Sequence, residues 1–240
     1  EFRRVLFRSQ VRDDILLHEG RDASRLQLLR NAVDPLEFPP PATLSARPRP
    51  PELNGASLVV GCVCGIRVEK DLPTLMRAVA ALVPECPGLR LVIVGSGPAD
   101  PQIRTLRSEL GLEDVCLLVP QTTRTQPWLQ AMDIFVLPST SEASSNALLE
   151  AMSSQCMAVA SRIGGNIEII DSGVNGLLFP AGDVQALTDA LRSLIADPAR
   201  RLALASAGRE SVLTKFSPAA AAQAVMDLYK KFLPPATGTK

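Results

Sequence analysis

From Leu58 onward, short runs of nearly uninterrupted apolar residues alternate with segments whose apolar residues recur at helical spacing. Strands without a polar face are buried on both sides, which is typical of parallel sheets covered by helices. We therefore predict an α/β fold, with one parallel sheet and helices on both of its faces. Ligands of such sheets bind beyond the carboxyl ends of the strands, where Gly65, Gly95 and Ser139 fall.

The alternation gives the bounds of each predicted element. The predicted strands are 58–64, 89–94, 115–119, 134–137, 157–161 and 176–179, with an earlier short strand at 25–30. The predicted helices are the tail of one at 11–18, then 72–83, 103–110, 126–132, one from Asn146, a turn at 167–170, one with Asp183 as its N-cap to 196, 198–214 and 218–232.

The chain divides into five segments of different composition. Residues 1–9 resemble translated adaptor or vector sequence rather than a targeting peptide, so we exclude them from the fold. Residues 10–34 are interpreted as the remnant of an N-terminal lobe with a hinge. Residues 35–56 are interpreted as an extended linker, because seven of them are proline. The α/β domain spans 57–217, and 218–240 form a C-terminal helix and tail.

Composition argues against several classes of protein. Lys and Arg together number 25, as do Asp and Glu, so the charge does not favour nucleic acid or a strongly anionic membrane as the partner. No apolar run approaches the roughly 18 residues of a transmembrane helix. Apolar residues make up 46% of the chain, which is enough for a packed core.

The cysteines and the histidine predict no metal site. Five cysteines, an odd number, argue against a disulfide framework and favour a reducing, cytoplasmic setting. Cys62 and Cys64 have no second Cys/His cluster in the sequence, so we interpret them as small buried hydrophobic residues. His18 is the only histidine and follows a charged run, which indicates a surface residue. No Ser-His-Asp or metal-spaced cluster supports a hydrolase or a metalloenzyme.

The strongest chemical signal is a pair of carboxylates, Glu142 and Glu150, with seven residues between them. A strand-like run ends at Pro138, a loop of small polar residues follows, and a helix begins near Asn146. Small residues let a ligand approach the backbone, and the start of a helix attracts phosphate. At 1.5 Å per helical residue the segment spans roughly 10 Å, which suits a phosphorylated, sugar-bearing ligand. Taken alone, such a pair is more often two solvated helix positions.

Two further loops carry candidate residues. The loop at 65–71 contains Arg67 and Lys70, and cations at the ligand edge of the sheet suit the phosphate groups of a ligand. An ordinary solvated loop is the alternative. Gly164 and Gly165 follow a later strand, and they serve either a turn or a close approach to a ligand.

Together and in this order, these motifs resemble those of the retaining, nucleotide-sugar-dependent glycosyltransferases of the GT-B fold, specifically glycosyltransferase family 4 (group 1). The resemblance runs through 31–216. Its motifs here are Asn31-Ala32-Val33-Asp34, Glu69-Lys70, the Glu-x7-Glu segment, Gly164-Gly165 with Glu168, and 173–179. Two departures are visible. The family arginine falls on Gly65, two residues before Arg67, and Ala143-Ser144 stands where the family often has Gly-Phe.

The resemblance implies a role for each candidate residue. Glu142 would face the donor sugar and the reacting centre, while Lys70, with Arg67 in place of the family arginine, neutralises the diphosphate. Glu150 would bind ribose, since a carboxylate accepts two hydroxyl hydrogen bonds. The other donor-binding residues would be Gly65, Ser144, Ser145, Asn146, Ala147, Gly164 and Gly165. Neither a metal nor a cofactor is implied, because the nucleoside diphosphate sugar is a co-substrate.

The resemblance also implies a fold and an activity for the whole. The fold would be one Rossmann-like lobe of a GT-B enzyme, its C-terminal donor-binding half, preceded by a short remnant of the N-terminal lobe. The activity would be retaining transfer of a sugar from a nucleoside diphosphate sugar to an acceptor hydroxyl, in cell-surface polysaccharide or glycolipid synthesis. A glycan or lipid-linked acceptor would meet the N-terminal lobe at the cytoplasmic face of the membrane, so this fragment would be inactive alone. A nucleotide-sugar epimerase and a non-catalytic nucleotide-sugar-binding module stay open as alternatives.

Overall fold

A six-stranded, wholly parallel sheet lies at the centre of the structure, a computed structural model that describes residues 4–6, 26–43 and 47–232. The strands are β1 (Arg4–Leu6), β2 (Leu26–Leu28), β3 (Leu58–Val63), β4 (Leu89–Val94), β5 (Cys116–Val119), β6 (Ile134–Leu137), β7 (Met157–Ser161) and β8 (Leu177–Phe179). Strands β1 and β2 pair with each other, and the other six form the sheet in the order β5-β4-β3-β6-β7-β8. The predicted parallel sheet is confirmed, while the predicted helix tail at 11–18 lies outside the described residues.

Helices follow the strands as the alternation predicts. They are α1 (Leu72–Leu82), α2 (Asp100–Glu109), α3 (Gln126–Ala131), α4 (Asn146–Ser153), α5 (Asn166–Ile169), α6 (Val184–Ala196), α7 (Pro198–Lys215) and α8 (Pro218–Phe232). Helix α2 begins before its predicted start at 103, because Pro101 fits the first turn, where no backbone N–H is needed. Asp183 caps α6 as predicted, and its Oδ1 accepts a hydrogen bond from the Ala186 amide at 2.9 Å.

The strand residues are divided between two hydrophobic cores, one on each face of the sheet. In β3, Val60 and Cys62 pack into one core, and Val59, whose side chain points the opposite way, packs into the other. All three are fully buried. A strand covered on both faces needs no polar side, which explains the uninterrupted apolar runs in the sequence. Each fully buried aliphatic side chain contributes about 1.5–3 kcal/mol.

The proline-rich linker packs against the domain. It contains one 3₁₀ turn, Pro51–Leu53, in which Leu53 is only 1% exposed. The buried guanidinium of Arg47 donates a hydrogen bond to the Gln130 carbonyl at 3.2 Å. The described part of the linker is therefore mostly irregular, as its prolines predict, and is fixed to the domain.

The strand order decides where a ligand site can form. The chain runs outward from β3 through β4 to β5, then returns to place β6 against the other side of β3 and runs outward again to β8. In doubly wound sheets the ligand crevice lies outside the carboxyl ends at this reversal. The loops after β3 and β6, at 64–71 and 138–145, are therefore neighbours although they are far apart in the sequence.

The last helix, α8, carries apolar side chains at its surface. Met226 and Tyr229 are 55% and 59% exposed, whereas Val225 and Leu228 are half-buried. Within the described residues, no helix is both long enough and apolar enough to cross a bilayer.

Candidate active site

The loops after β3 and β6 are joined directly by hydrogen bonds. The Thr140 amide donates to the Glu69 carbonyl at 2.8 Å. Lys70 ends a 3₁₀ turn, Val68–Lys70, and Asp71 follows it in the left-handed region at φ +43° before α1 begins. This turn directs Lys70 towards the β6 loop, so two sequence-predicted site residues meet at the reversal of the strand order.

Lys70 and Glu142 form an ion pair at the centre of this region. The Lys70 Nζ atom lies 2.5 Å from Glu142 Oε2, and the two side chains are 20% and 12% exposed. The Ser139 hydroxyl lies 3.4 Å from the same oxygen. Because both partners are largely shielded from water, their attraction is less screened than that of a surface pair. The structure thus brings together two of the three residues for which the sequence predicted catalysis.

The third of these residues, Arg67, lies apart from the ion pair. Its side chain is 65% exposed, and its Nη1 atom is 3.9 Å from Glu69 Oε1. Gly65 is also exposed, at the start of the same loop. Both residues lie at the carboxyl edge of the sheet, as the sequence predicts, but a contact of either with a ligand stays a prediction.

The backbone around Glu142 is held by the element that follows β7. The Gly165 amide donates to the Glu142 carbonyl at 2.9 Å. A Cβ atom at Gly165 would lie 2.2 Å from the Ala143 carbonyl oxygen, so only glycine permits this approach. Gly165 therefore supports the loop with its N–H, next to Gly164. Direct contact of this glycine pair with a donor stays a prediction.

Three buried polar residues lie beneath this loop, and sequence reasoning missed two of them, Ser161 and Asn166. The Ser161 hydroxyl donates to the Ser139 carbonyl at 2.5 Å, and the Asn166 amide group donates to the Ser161 carbonyl at 3.0 Å. Ser139, Ser161 and Asn166 are all fully buried. Buried polar groups need partners, so this chain of bonds fixes the end of β6 to that of β7. The signal in the sequence was a polar residue directly beyond each apolar run.

The start of α4 faces the same region. The Ser145 hydroxyl caps the helix by accepting a hydrogen bond from the Leu148 amide at 3.2 Å. The Asn146 side chain accepts a hydrogen bond from Asn31 in the hinge at 2.8 Å. The first amides of a helix, here from Asn146 and Ala147, have no intrahelical acceptor and favour an anion. Ser144, which precedes the cap, is half-buried in the same loop.

Glu150 lies one turn further along α4 and is half-buried. Burial raises the pKa of its carboxyl group, and the charge of Glu37 from the linker raises it further. Among the described residues, no cation forms an ion pair with Glu150. A desolvated carboxylate without a cation is stabilised by neutral donors such as hydroxyl groups.

The charges of Lys70 and Glu142 also affect the pKa values of two thiols near the end of β3, Cys62 and Cys64. A hydrogen bond from Cys62 lowers the pKa of Cys64, and the charge of Lys70 acts in the same direction, against the opposing effects of burial and Glu142. For Cys62 that hydrogen bond and burial raise the pKa. Elsewhere burial raises the pKa of Cys116 to about 12 and that of Cys156 to about 11, so both thiols are protonated at neutral pH.

The Lys70 loop is supported from its other side by the loop after β4. The Ile66 amide donates to the Ser96 carbonyl at 3.1 Å. A Cβ atom at Gly97 would lie 2.2 Å from the Ile66 carbonyl oxygen, which explains the glycine. The close approach at Gly97 therefore helps to position the loop that carries Lys70.

An open groove of about 450 Å³ lies beside the linker. It is lined by Glu37, Phe38 and residues 123–127 beyond the carboxyl end of β5. Ligand pockets commonly measure about 300–1,000 Å³. Across the described residues, no group of three or more His, Cys, Asp or Glu side chains is arranged to hold a metal ion.

Comparison with known proteins identifies similar sequences and similar structures. The chain is 31% identical to the α-maltose-1-phosphate synthase of Mycolicibacterium smegmatis over 93% of its own length and 61% of the relative's length. Its fold matches the crystal structure of Anabaena Alr3699/HepE in complex with UDP, with a TM-score of 0.80 at 19% identity, over 95% of this chain and 63% of that one. The chain thus spans about three fifths of both proteins.

A stand-alone domain gives the complementary comparison. The C-terminal domain of the glycosyl transferase group 1 family protein LpcC from Francisella tularensis is matched over 99% of its length and 78% of this chain, at 26% identity and a TM-score of 0.68. The fold described above is therefore that of one Rossmann-like lobe of the GT-B glycosyltransferases. The sequence pattern of the family described as glycosyl transferases group 1 matches residues 57–197, more than half of the chain. This chain belongs to the glycosyl transferases group 1 family.

Proposed function

We propose that this chain is the donor-binding half of a retaining glycosyltransferase of family 4 that takes a sugar from a nucleoside diphosphate sugar. The observation that carries the proposal is the Lys70–Glu142 ion pair at the reversal of the strand order, next to the start of α4 and Glu150. Lys70 and the start of α4 would bind the diphosphate of the donor. Glu142 would face its sugar, and Glu150 would bind its ribose.

In the proposed mechanism, Lys70 and the start of α4 stabilise the leaving diphosphate. An ammonium group has three N–H donors, so Lys70 can keep Glu142 and still donate to phosphate oxygens. Negative charge on the diphosphate grows as the glycosidic bond breaks, and fixed positive charge there lowers the barrier. The exposed Arg67 adds a second cation at the mouth of the site.

Glu142 lies next to the proposed position of the anomeric carbon. Its carboxylate would stabilise the positive charge that develops on the sugar ring, which is oxocarbenium-like in glycosyl chemistry. The buried bonds to Ser139 and Gly165 hold it in place during the reaction. Retention means that the acceptor hydroxyl attacks from the face that the diphosphate leaves.

Glu150 would accept hydrogen bonds from the ribose hydroxyls. Its raised pKa and lack of a cation among the described residues support this role, because ribose hydroxyls replace the lost water without bringing charge. The structural neighbour from Anabaena was crystallised with UDP, which supports a nucleoside diphosphate as the ligand class. The groove beside Glu37 and Phe38 has space for the base.

The acceptor belongs to the whole protein rather than to this chain. We propose a glycan or lipid-linked acceptor in cell-surface polysaccharide or glycolipid synthesis, met by an N-terminal lobe at the cytoplasmic face of the membrane. The synthase of M. smegmatis, itself named for a sugar-phosphate product, supports glycan chemistry in the family.

Calorimetry tests the proposal directly. The purified chain is titrated with UDP, GDP and ADP, after circular dichroism has shown that it is folded. We expect saturable binding of one nucleotide, displaced by the corresponding nucleoside diphosphate sugar. If none of the three binds at millimolar concentration, the proposal is wrong.

A further inference from the structure

A second charged pocket lies at the opposite edge of the sheet. It has a volume of about 260 Å³, and its lining includes Arg47, Arg49, Arg201, Ser57 and Asp133. Ser57 and Asp133 directly precede β3 and β6, so the pocket opens at the amino ends of the two central strands. The Lys70–Glu142 pair lies beyond the carboxyl ends of the same strands. The two sites are therefore separate.

The pocket carries an excess of positive charge. Three guanidinium groups line it, and Asp133 is the one carboxylate in its lining. That carboxylate is already shared, since Arg49 Nη2 lies 2.6 Å from its Oδ2 and Arg47 Nε lies 3.7 Å from its Oδ1. The Val59 amide also donates to Oδ2, at 2.7 Å. The chain as a whole has a formal net charge of zero, so this concentration of cations is local.

One guanidinium donor in the pocket lacks an acceptor, and one guanidinium lacks a carboxylate partner. The Nη1 atom of Arg49 is buried and has no hydrogen-bond partner within the structure. Arg201 donates from Nη1 to the Leu194 carbonyl at 2.8 Å and forms no ion pair with a carboxylate among the described residues. Burial lowers the pKa of Arg201 and the charge of Arg47 lowers it further, against the opposing effect of Asp133. An anion would supply the missing acceptors and the missing charge.

A purely structural role explains only part of this cluster. Arg47 and Arg49 tie the linker to the domain, through Asp133 and the Gln130 carbonyl. Arg201 belongs to α7 rather than to the linker, and it brings a third cation to a carboxylate that is already shared. Burial of an extra like charge is costly unless something compensates for it.

We propose that this pocket binds a phosphate monoester dianion that is free in solution. Three arginines and one carboxylate leave a local charge of about +2, which matches the charge of about −1.5 to −2 on a phosphate monoester near pH 7. The planar guanidinium binds phosphate oxygens two at a time. The Arg47 and Asp133 side chains are only 2% and 13% exposed, so the site is recessed and favours a small soluble molecule over a lipid headgroup in a bilayer.

The test is a titration of the 240-residue chain with inorganic phosphate and with glucose 6-phosphate at constant ionic strength. Calorimetry measures affinity, and amide NMR shifts locate the site. We expect saturable binding, with shifts at Ser57, Asp133 and Leu202. Arg201→Gln should lower the affinity about tenfold or more, since it removes a charged two-pronged contact. Arg201→Lys keeps the charge but loses the planar pair of donors, so its affinity should lie between those of the unchanged chain and Arg201→Gln.

Arg200→Gln is the matched control, because Arg200 is exposed on the same helix and does not line the pocket. It should change the affinity by less than about twofold, since an exposed charge acts weakly at a distance. Absence of saturable binding by the folded protein would overturn the proposal, as would equal losses in Arg200→Gln and Arg201→Gln. Binding to phosphatidylglycerol vesicles that depends on Arg201, without binding of glucose 6-phosphate, would assign the pocket to lipid and equally overturn it.

Discussion

Lys70 has one ammonium group, and in the proposed complex it serves both Glu142 and a diphosphate. In the structure it lies 2.5 Å from Glu142. The carboxylate therefore offsets part of the charge with which Lys70 attracts the phosphate, and it also repels the phosphate by its own charge. At the scale of single residues, the two members of this pair should have opposite effects on nucleotide binding.

We expect Lys70→Ala to weaken UDP binding by about 1.5–3 kcal/mol, the range for a hydrogen bond to a charged group. Glu142→Gln should instead tighten it, by up to about 1.4 kcal/mol or tenfold, because Lys70 is released and a negative charge is lost. Calorimetry at fixed salt measures both. Equal weakening by the two substitutions would show that Glu142 contacts the nucleotide instead of competing with it.

The carboxylate of Glu150 should lower the stability of the fold while it strengthens nucleotide binding. Its pKa is raised in the folded state, so the folded protein holds this proton more tightly than the unfolded chain does. Stability therefore falls as the pH rises from the unfolded pKa, about 4.3, through the folded value. At neutral pH the charged carboxylate destabilises the fold, and the effect vanishes below the unfolded pKa.

Glu150→Gln should accordingly raise the Tm at pH 7 and weaken UDP binding by about 1–3 kcal/mol. The gain in Tm should disappear at pH 4. Thermal unfolding at both pH values and calorimetry at pH 7 measure these changes. Glu52→Gln, at an exposed position of the linker, is the control and should change neither. A lower Tm for Glu150→Gln at pH 7 would contradict the argument.

At the scale of elements, the site depends on how closely three loops approach each other. Gly165→Ala places a Cβ atom 2.2 Å from the Ala143 carbonyl oxygen and must displace the Glu142 loop or the start of α5. We expect a loss of about 1–3 kcal/mol in the free energy of unfolding, the usual range for overpacking, together with weaker UDP binding.

Gly65→Ala is the matched control for stability. A Cβ atom at Gly65 meets only the Arg67 Nε atom, at 3.9 Å, which is ordinary contact. Urea denaturation of both variants, with linear extrapolation, gives the two free energies. If the two glycines tolerate alanine equally, the contact between 142–145 and the glycine pair does not hold the loop.

The sequence predicted the elements better than the contacts between them. Apolar runs predict strands such as β3 because burial on both faces leaves a simple pattern, and the Asp183 cap depends only on residues three apart. The proximity of Lys70 and Glu142 was predictable, because both lie in recognisable motifs and both follow the carboxyl ends of parallel strands. The bond from Ser161 to Ser139 and the bond from Ile66 to Ser96 were not predictable, because each joins residues distant in sequence.

At the scale of the whole molecule, we expect the chain to bind nucleotide but not to transfer sugar. It spans about three fifths of its relatives, and alignment of two bound substrates supplies up to about 7–11 kcal/mol of catalysis. Incubation with nucleoside diphosphate sugars and a lipid-linked glycan extract, followed by mass spectrometry, tests this. Transfer at a rate near that of a full-length relative would contradict it.

The reversal of the strand order also divides the sheet into two halves, one on each side of the β3–β6 pairing. Within the sheet, strands β3–β5 pair with strands β6–β8 where Val60 and Gly61 lie opposite Ile134 and Phe135. Lys70 belongs to one half and Glu142 to the other. A donor that contacts both Lys70 and Glu142 binds only when the two halves are together. Its binding energy therefore adds to the free energy needed to separate them. Hydrogen exchange at the β3–β6 pairing should therefore slow when nucleotide binds. If the chain is divided near Thr123, the two polypeptides should reassociate in the presence of nucleotide, so that their association reports its binding.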